Sequence, residues 1–246
     1  MMGHATTIAK REWAGYFNSP VAYVFIVIFL FCMGFFTFNI GNFFENGQAE
    51  LSSSFFVWHP WLYLILVPAV SMGLWAEERR NNTIELLFTL PITPIQAILG
   101  KFVASWAFLG LALLLTFPVV WSASDLGDPD MGVVFSGYVG SFMLAGAYLS
   151  IGMFTSALSK DQVISFILAV VIGLLLILAG FNPVTDFLSG FLPTKVVDGI
   201  AALGFIDHYQ TFQRGVMSLR DVFYFISIMG LMLFATQAVL NNKAAS

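Results

Sequence analysis

Six stretches of the chain are continuous apolar runs bounded by polar clusters, and their lengths limit what they can be. A helix that crosses a bilayer needs about 20 mostly apolar residues. Runs of that kind fall at residues 21–40, 55–76, 102–121, 132–158, 163–181 and 222–240. The pattern predicts an all-α membrane protein with six transmembrane helices, built as one membrane domain over residues 1–246. The first run follows Lys10 and Arg11, as the core of a signal peptide would. Its apolar stretch exceeds the usual core of about 7–15 residues and no convincing small-residue cleavage site is seen, so it is read as retained. The fourth run is long enough to tilt or to extend past the hydrocarbon.

Three further segments are neither plain spans nor plain loops. Residues 5–17, ATTIAKREWAGYF, place Ile8, Ala9, Trp13, Tyr16 and Phe17 on one half of a helical wheel and Thr7, Lys10 and Arg11 on the other. Glu12 intrudes on the apolar half. The expectation is an amphipathic helix lying flat in the interface, with aromatic rings at headgroup level; a frayed tail is the alternative. Asn18-Ser19-Pro20 then breaks and recaps the chain, with Pro20 at a first helical position. In residues 77–101, Asn82 and Glu85 have capping-box spacing, and Ile84, Leu87 and Phe88 follow at helical intervals. A short helix over 82–90, stopping before Pro91, is predicted. Thr93 and Gln96 form a second capping box with Pro94 at its first position, predicting a short helix that bends sharply into the third span. An exposed apolar helix needs a protein groove to cover it, either a partner's or one in its own bundle. Residues 182–220 are too apolar for a solvated loop, yet Asp186, Pro193, Lys195, Asp198 and Asp207 interrupt them. Short external helices over 183–220 that dip into the outer leaflet without crossing satisfy both facts; a further pair of spans is the alternative. Within the spans, Pro68 and Pro118 remove backbone hydrogen bonds and predict kinks in the second and third. Gly137, Ser141 and Ala145 form a small-residue face on the fourth.

Composition narrows the function. Hydrophobic residues make up 59% and charged residues 10%, where a soluble domain carries about 25% charged. A soluble enzyme, a disordered chain and a nucleic-acid-binding module are excluded, and a net charge of −4 leaves no basic patch. Of the 10 Lys and Arg residues, Lys10, Arg11, Arg79, Arg80, Lys101, Lys160 and Lys243 fall on the side of the termini, and Lys195, Arg214 and Arg220 on the other. The excess places both termini in the cytoplasm. The six runs contain no Asp, Glu, Lys or Arg, which disfavours a proton- or ion-driven carrier. His4, His59 and His208 are scattered at membrane edges and loops, and no H-E-x-x-H occurs, so no metal site is expected. The single cysteine, Cys32, lies in an apolar run and reads as packing. Gly100-Lys101 is followed by Phe102 and lacks the upstream glycine of a phosphate-binding loop. No catalytic or cofactor-binding residue is expected, and any nucleotide hydrolysis must come from another subunit.

Three stretches then carry a family likeness. EERRNNTIELLFTLPIT, residues 77–93, resembles the signature between spans two and three of type-2 ABC transporter permeases: an acidic pair, a basic pair, Thr-Ile-Glu, apolar residues and proline. KREWAGYFNSPVAYVF, residues 10–25, is similar to the amino-terminal motif of the gliding-motility-type permease subgroup, and HYQTFQRGVMSLRDVFYF, residues 208–225, resembles the same subgroup before its last span. Trp13, Tyr209 and Gln210 depart from that pattern. The resemblance implies a permease subunit of the bacterial inner membrane that moves a substrate, read as export, using ATP and Mg bound by a separate ABC ATPase subunit. It implies a second permease chain, identical or not, and leaves room for a periplasmic partner protein. Residues 82–90 would be the coupling helix, with Asn82, Thr83, Ile84, Glu85, Leu87 and Phe88 docking on the ATPase. Glu77, Glu78, Arg79 and Arg80 would fix its junction with span two. The helix at 5–17, with Lys10, Arg11, Glu12, Trp13, Tyr16 and Phe17, would connect to span one near the same partner. Two other readings stay open: a mechanical module that passes ATPase motion to a periplasmic partner, and an ATP-independent carrier.

Overall fold

A computed structural model describes residues 2–44, 50–81, 83 and 93–244. Among the described residues there is no strand, and six helices are long and apolar enough to cross a membrane: Pro20–Ile40, Leu51–Arg80, Pro94–Leu126, Met131–Leu158, Gln162–Ala179 and Leu219–Asn242. The protein is an all-α membrane protein, and these helices are spans one to six below.

Span four is the axis of the bundle, packing on spans two, three, five and six. Its glycines admit neighbours that a side chain would exclude. A Cβ at Gly137 would sit 2.6 Å from the Phe56 ring, at Gly140 2.5 Å from Phe212, and at Gly146 2.7 Å from Met229 and 2.8 Å from Trp106. At Gly152 it would overlap Ser71 Oγ. The expected small-residue face is therefore part of a longer one: Ser141 hydrogen-bonds Tyr209 and Ala145 is buried, but the closest approaches are at the glycines. Spans one, five and six are mostly outward-facing, with rows such as Val27, Phe31, Ile167, Val171, Leu231 and Phe234 exposed.

Span two is interrupted. Pro68 lies inside the helix His59–Ser71, and the helix restarts as Gly73–Arg80. Pro68 has no N–H to give to the preceding turn, yet the break falls later, at Met72. There the Ser156 hydroxyl of span four inserts into the ladder. It accepts from the amides of Trp75 and Ala76, both at 3.0 Å, and donates to the Met72 carbonyl at 2.7 Å. An unbroken helix would send those two amides to Ser71 and Met72. An inserted side chain thus sets the position of the break.

Span three begins at Pro94 with the expected capping box, the Thr93 amide donating to Gln96 Oε1 at 3.0 Å. The sharp bend expected just after it is absent: Pro94–Leu114 is one helix. Lys101, just before the apolar run 102–121, is buried with carboxylate partners, and the helix continues through it. The chain turns only at residues 115–117, ahead of the helix Pro118–Leu126.

Between spans five and six lie three short helices, Asn182–Ser189, Thr194–Ala201 and Phe205–Gln213. None has the roughly 20 residues a crossing needs, so the alternative of two further spans does not hold. The third is fastened to span four: Ser136 Oγ donates to the Phe212 carbonyl at 2.6 Å, and Tyr209 meets Ser141 Oγ at 2.7 Å and the Phe56 carbonyl at 3.2 Å.

Candidate functional site

Among the described residues, the predicted site positions of the amino-terminal helix and of the end of span two gather at one end of the bundle, beside the start of span three. The amino-terminal helix, Met2–Phe17, packs along span three. Its expected apolar half is the packed one: Ile8, Trp13, Tyr16 and Phe17 lie against the core, while Lys10 and Arg11 are exposed. Tyr16 stacks on Phe108 with ring centroids 4.7 Å apart and planes 4° from parallel. Ser105 Oγ donates to the Lys101 carbonyl at 2.8 Å, which can only accept. The Tyr16 hydroxyl, 2.8 Å from the same Oγ, is therefore the donor of that pair. Burial pushes the Tyr16 phenol up to about 12, so this donor keeps its proton at any physiological pH. At the far end of the helix, Tyr23 of span one donates to the Phe17 carbonyl at 3.1 Å. Ser19 caps span one and Pro20 takes its first position.

Glu12, the misfit on the apolar half, has a reason to be there. Its carboxylate lies 3.5 Å from Lys101 Nζ, and Arg11 approaches it from the solvent side at 3.2 Å. Lys101 Nζ also lies 2.9 Å from Glu78 and 5.3 Å above the Trp75 ring. The lysine side chain is only 6% exposed. This buried cation is the centre of the junction, yet its place before Phe102 reads as an ordinary membrane-edge charge. The signal that could have found it is Glu12 itself, since an acid on a packed face requires a buried partner.

The acidic and basic pairs divide. Glu78 points inward to Lys101, and Arg79 Nη1 donates to the Ala157 carbonyl at the end of span four, at 2.7 Å. Glu77 and Arg80 are exposed. Thr83 closes the turn after span two by donating its amide to the Glu78 carbonyl at 2.9 Å. The coupling-helix residues Asn82, Ile84, Glu85, Leu87 and Phe88 lie outside the described residues. Pro68 is remote from this junction, in the middle of span two.

Another polar constellation stands at the opposite end. His208 and Asp221, both buried, approach at 2.6 Å through Nδ1, and His208 Nε2 lies 3.1 Å from the Ala202 carbonyl. The Ala202 carbonyl can only accept, so His208 Nε2–H donates to it, and one proton is shared between Nδ1 and the Asp221 carboxyl group. The imidazole stacks on Tyr224 at 3.7 Å, and Tyr224 donates to the Leu203 carbonyl at 2.5 Å. A cleft of about 280 Å³ opens beside this pair, flanked by Asp198, Asp207, Thr211 and Arg220. Partial burial raises the Asp207 carboxyl above its ordinary range. His208 had been expected at a scattered loop position; its partner lies 13 residues away across a helix boundary. His59 is buried within span two among the rings of Phe55, Phe56 and Tyr63. Among the described residues, no group of three or more His, Cys, Asp and Glu could hold a metal ion.

No curated protein matches the chain. A family profile described as ABC-2 family transporter protein matches residues 6–245, from the amino-terminal helix to the end of span six. With the six spans, that match makes the chain a membrane permease subunit of an ABC transporter, belonging to the ABC-2 family.

Proposed function

We propose that the chain is the membrane half of an ATP-driven exporter of the bacterial inner membrane, and that the junction around Lys101 is where it receives the motion of a separate ABC ATPase. One observation carries this reading. The described helices on either side of the segment that resembles the coupling signature meet the amino-terminal helix, so a partner docked on 82–90 would also lie near that helix. Two permease chains pair, and each docks one ATPase through Asn82–Phe88. ATP draws the ATPases together, and the displaced segments shift spans two and five at the paired interface. The absence of ionised residues along most of each span favours an apolar or amphipathic cargo.

The docking claim is tested at Phe88. A carboxylate buried unpaired at an interface costs several kcal/mol, on the order of 3–5. Phe88→Asp is expected to lose co-purification of the ATPase while the permease elutes normally in detergent. Retained co-purification would place the docking surface elsewhere.

The orientation is tested at two exposed residues from opposite ends of the bundle, Lys160 and Arg214. In a Cys32→Ser background, an impermeant thiol reagent on intact cells is expected to label Arg214→Cys and to spare Lys160→Cys until the membrane is opened. The reverse pattern would invert the topology.

A further inference from the structure

We infer that Lys101 is a positioning residue, the clasp that makes the amino-terminal helix and both ends of the segment between spans two and three move as one body. The inference rests on the docking of that segment on an ATPase and names how its movement is passed on. Glu78 lies in the last turn of span two and Lys101 two turns into span three, so their 2.9 Å ion pair ties together the two helices that carry the segment. Glu12, at 3.5 Å from the same ammonium, brings in a third element from far away in the chain.

The charge balance makes the clasp stiff. Among the described residues, Lys101 is the only cation placed inside the junction; Arg11, on the far side of Glu12, is 68% exposed and its attraction is screened by water. Arg79 is turned away to the span-four carbonyl. The second oxygen of Glu78 is buried without a hydrogen-bond partner among the described residues. If Glu78 moved off, the buried ammonium would lose its nearest counter-ion, which is the costly way to break such a group, and departure of Glu12 would remove its second carboxylate. The hydroxyl relay from Tyr16 through Ser105 to the Lys101 carbonyl anchors the helix to the same turn of span three. Displacement of the helices that carry the segment is therefore transmitted to the amino-terminal helix rather than absorbed between them.

The test places nitroxides on the exposed residues Lys10 and Asn81 (Lys10→Cys, Asn81→Cys, Cys32→Ser), diluted with unlabelled permease so that one chain's pair is read. Distances are measured in nanodiscs, for the permease alone and for its ATPase complex with and without vanadate-trapped ATP. A single narrow distance, unchanged by trapping, is expected. Lys101→Met is expected to broaden the distribution and make it shift on trapping, and Lys101→Arg to restore the narrow one. Glu12→Gln, at a partly exposed position that keeps the Glu78–Lys101 pair, is expected to broaden it without loss of folded protein. A Lys101→Met or Glu12→Gln distribution as narrow as that of the unsubstituted chain would overturn the clasp. Failure of any ATPase to co-purify would overturn the docking reading instead, and the widths in the permease alone would still decide the clasp.

Discussion

Removing either partner of the His208–Asp221 pair is expected to destabilise the bundle by about 1–3 kcal/mol, because a buried polar group is left without its hydrogen-bond partner. The two side chains are 6% and 8% exposed, so water gives little relief. His208→Leu leaves the Asp221 carboxylate facing a hydrocarbon side chain. Asp221→Leu leaves the buried imidazole with one hydrogen-bond partner, the Ala202 carbonyl. The double substitution, which removes both groups, is expected to cost less than either single change. Thermal unfolding in detergent reads all three. Equal and additive losses would mean that each residue contributes only packing. The consequence is local to the end of the molecule that carries the short helices: the histidine and Tyr224 together hold the turn at Ala202 and Leu203 against the start of span six. ATPase docking at the opposite end is expected to survive in any folded fraction.

At Gly152 the expected result is a loss of about 1–3 kcal/mol on substitution by alanine, the usual cost of overpacking. This outweighs the roughly 1 kcal/mol that alanine gains over glycine in a helix. The new methyl group would overlap Ser71 Oγ and lie 2.7 Å from Ser71 Cβ. Ser71 cannot step aside cheaply, since it is fully buried and its hydroxyl donates to the Val67 carbonyl at 3.1 Å beside the break in span two. Ser71→Gly in the same chain makes room for the methyl group, so the double mutant is expected to recover part of the loss as a coupling energy. The larger Gly152→Leu is expected to prevent assembly, seen as aggregate in size-exclusion chromatography. An alanine variant that melts with the parent would show that spans two and four are not in close contact there.

Several features of this fold are local enough to read along the chain. Each apolar run reports its own environment because a bilayer imposes one solvent over some twenty residues. Capping chemistry at Thr93 and Gln96, or at Ser19 and Pro20, depends on neighbours within a turn. The amphipathic face of residues 5–17 was equally visible, since its apolar residues recur at helical spacing. What covers that face was not. The interface was the expectation for Trp13, Tyr16 and Phe17, and the structure adds a protein neighbour, packing them half-buried against the bundle, where Tyr16 finds Phe108. A helical wheel tells which side is apolar and says nothing about whether lipid or protein meets it.

Six spans, an all-α bundle, short helices before the last span and a recognisable ABC-2 signature all come from residues close together along the chain. Tertiary structure alone decided that Lys101 is a buried centre rather than an edge charge, because its carboxylates come from Glu12 and Glu78 on two other elements. It also placed the break of span two at Met72 rather than at Pro68: proline weakens one turn, but the Ser156 hydroxyl, carried in by span four, offers the replacement hydrogen bonds. The same holds for His208 and Asp221, whose pairing depends on how the third short helix folds back on span six. Buried polar groups must find partners, and those partners are chosen by packing between distant segments, which no local pattern encodes.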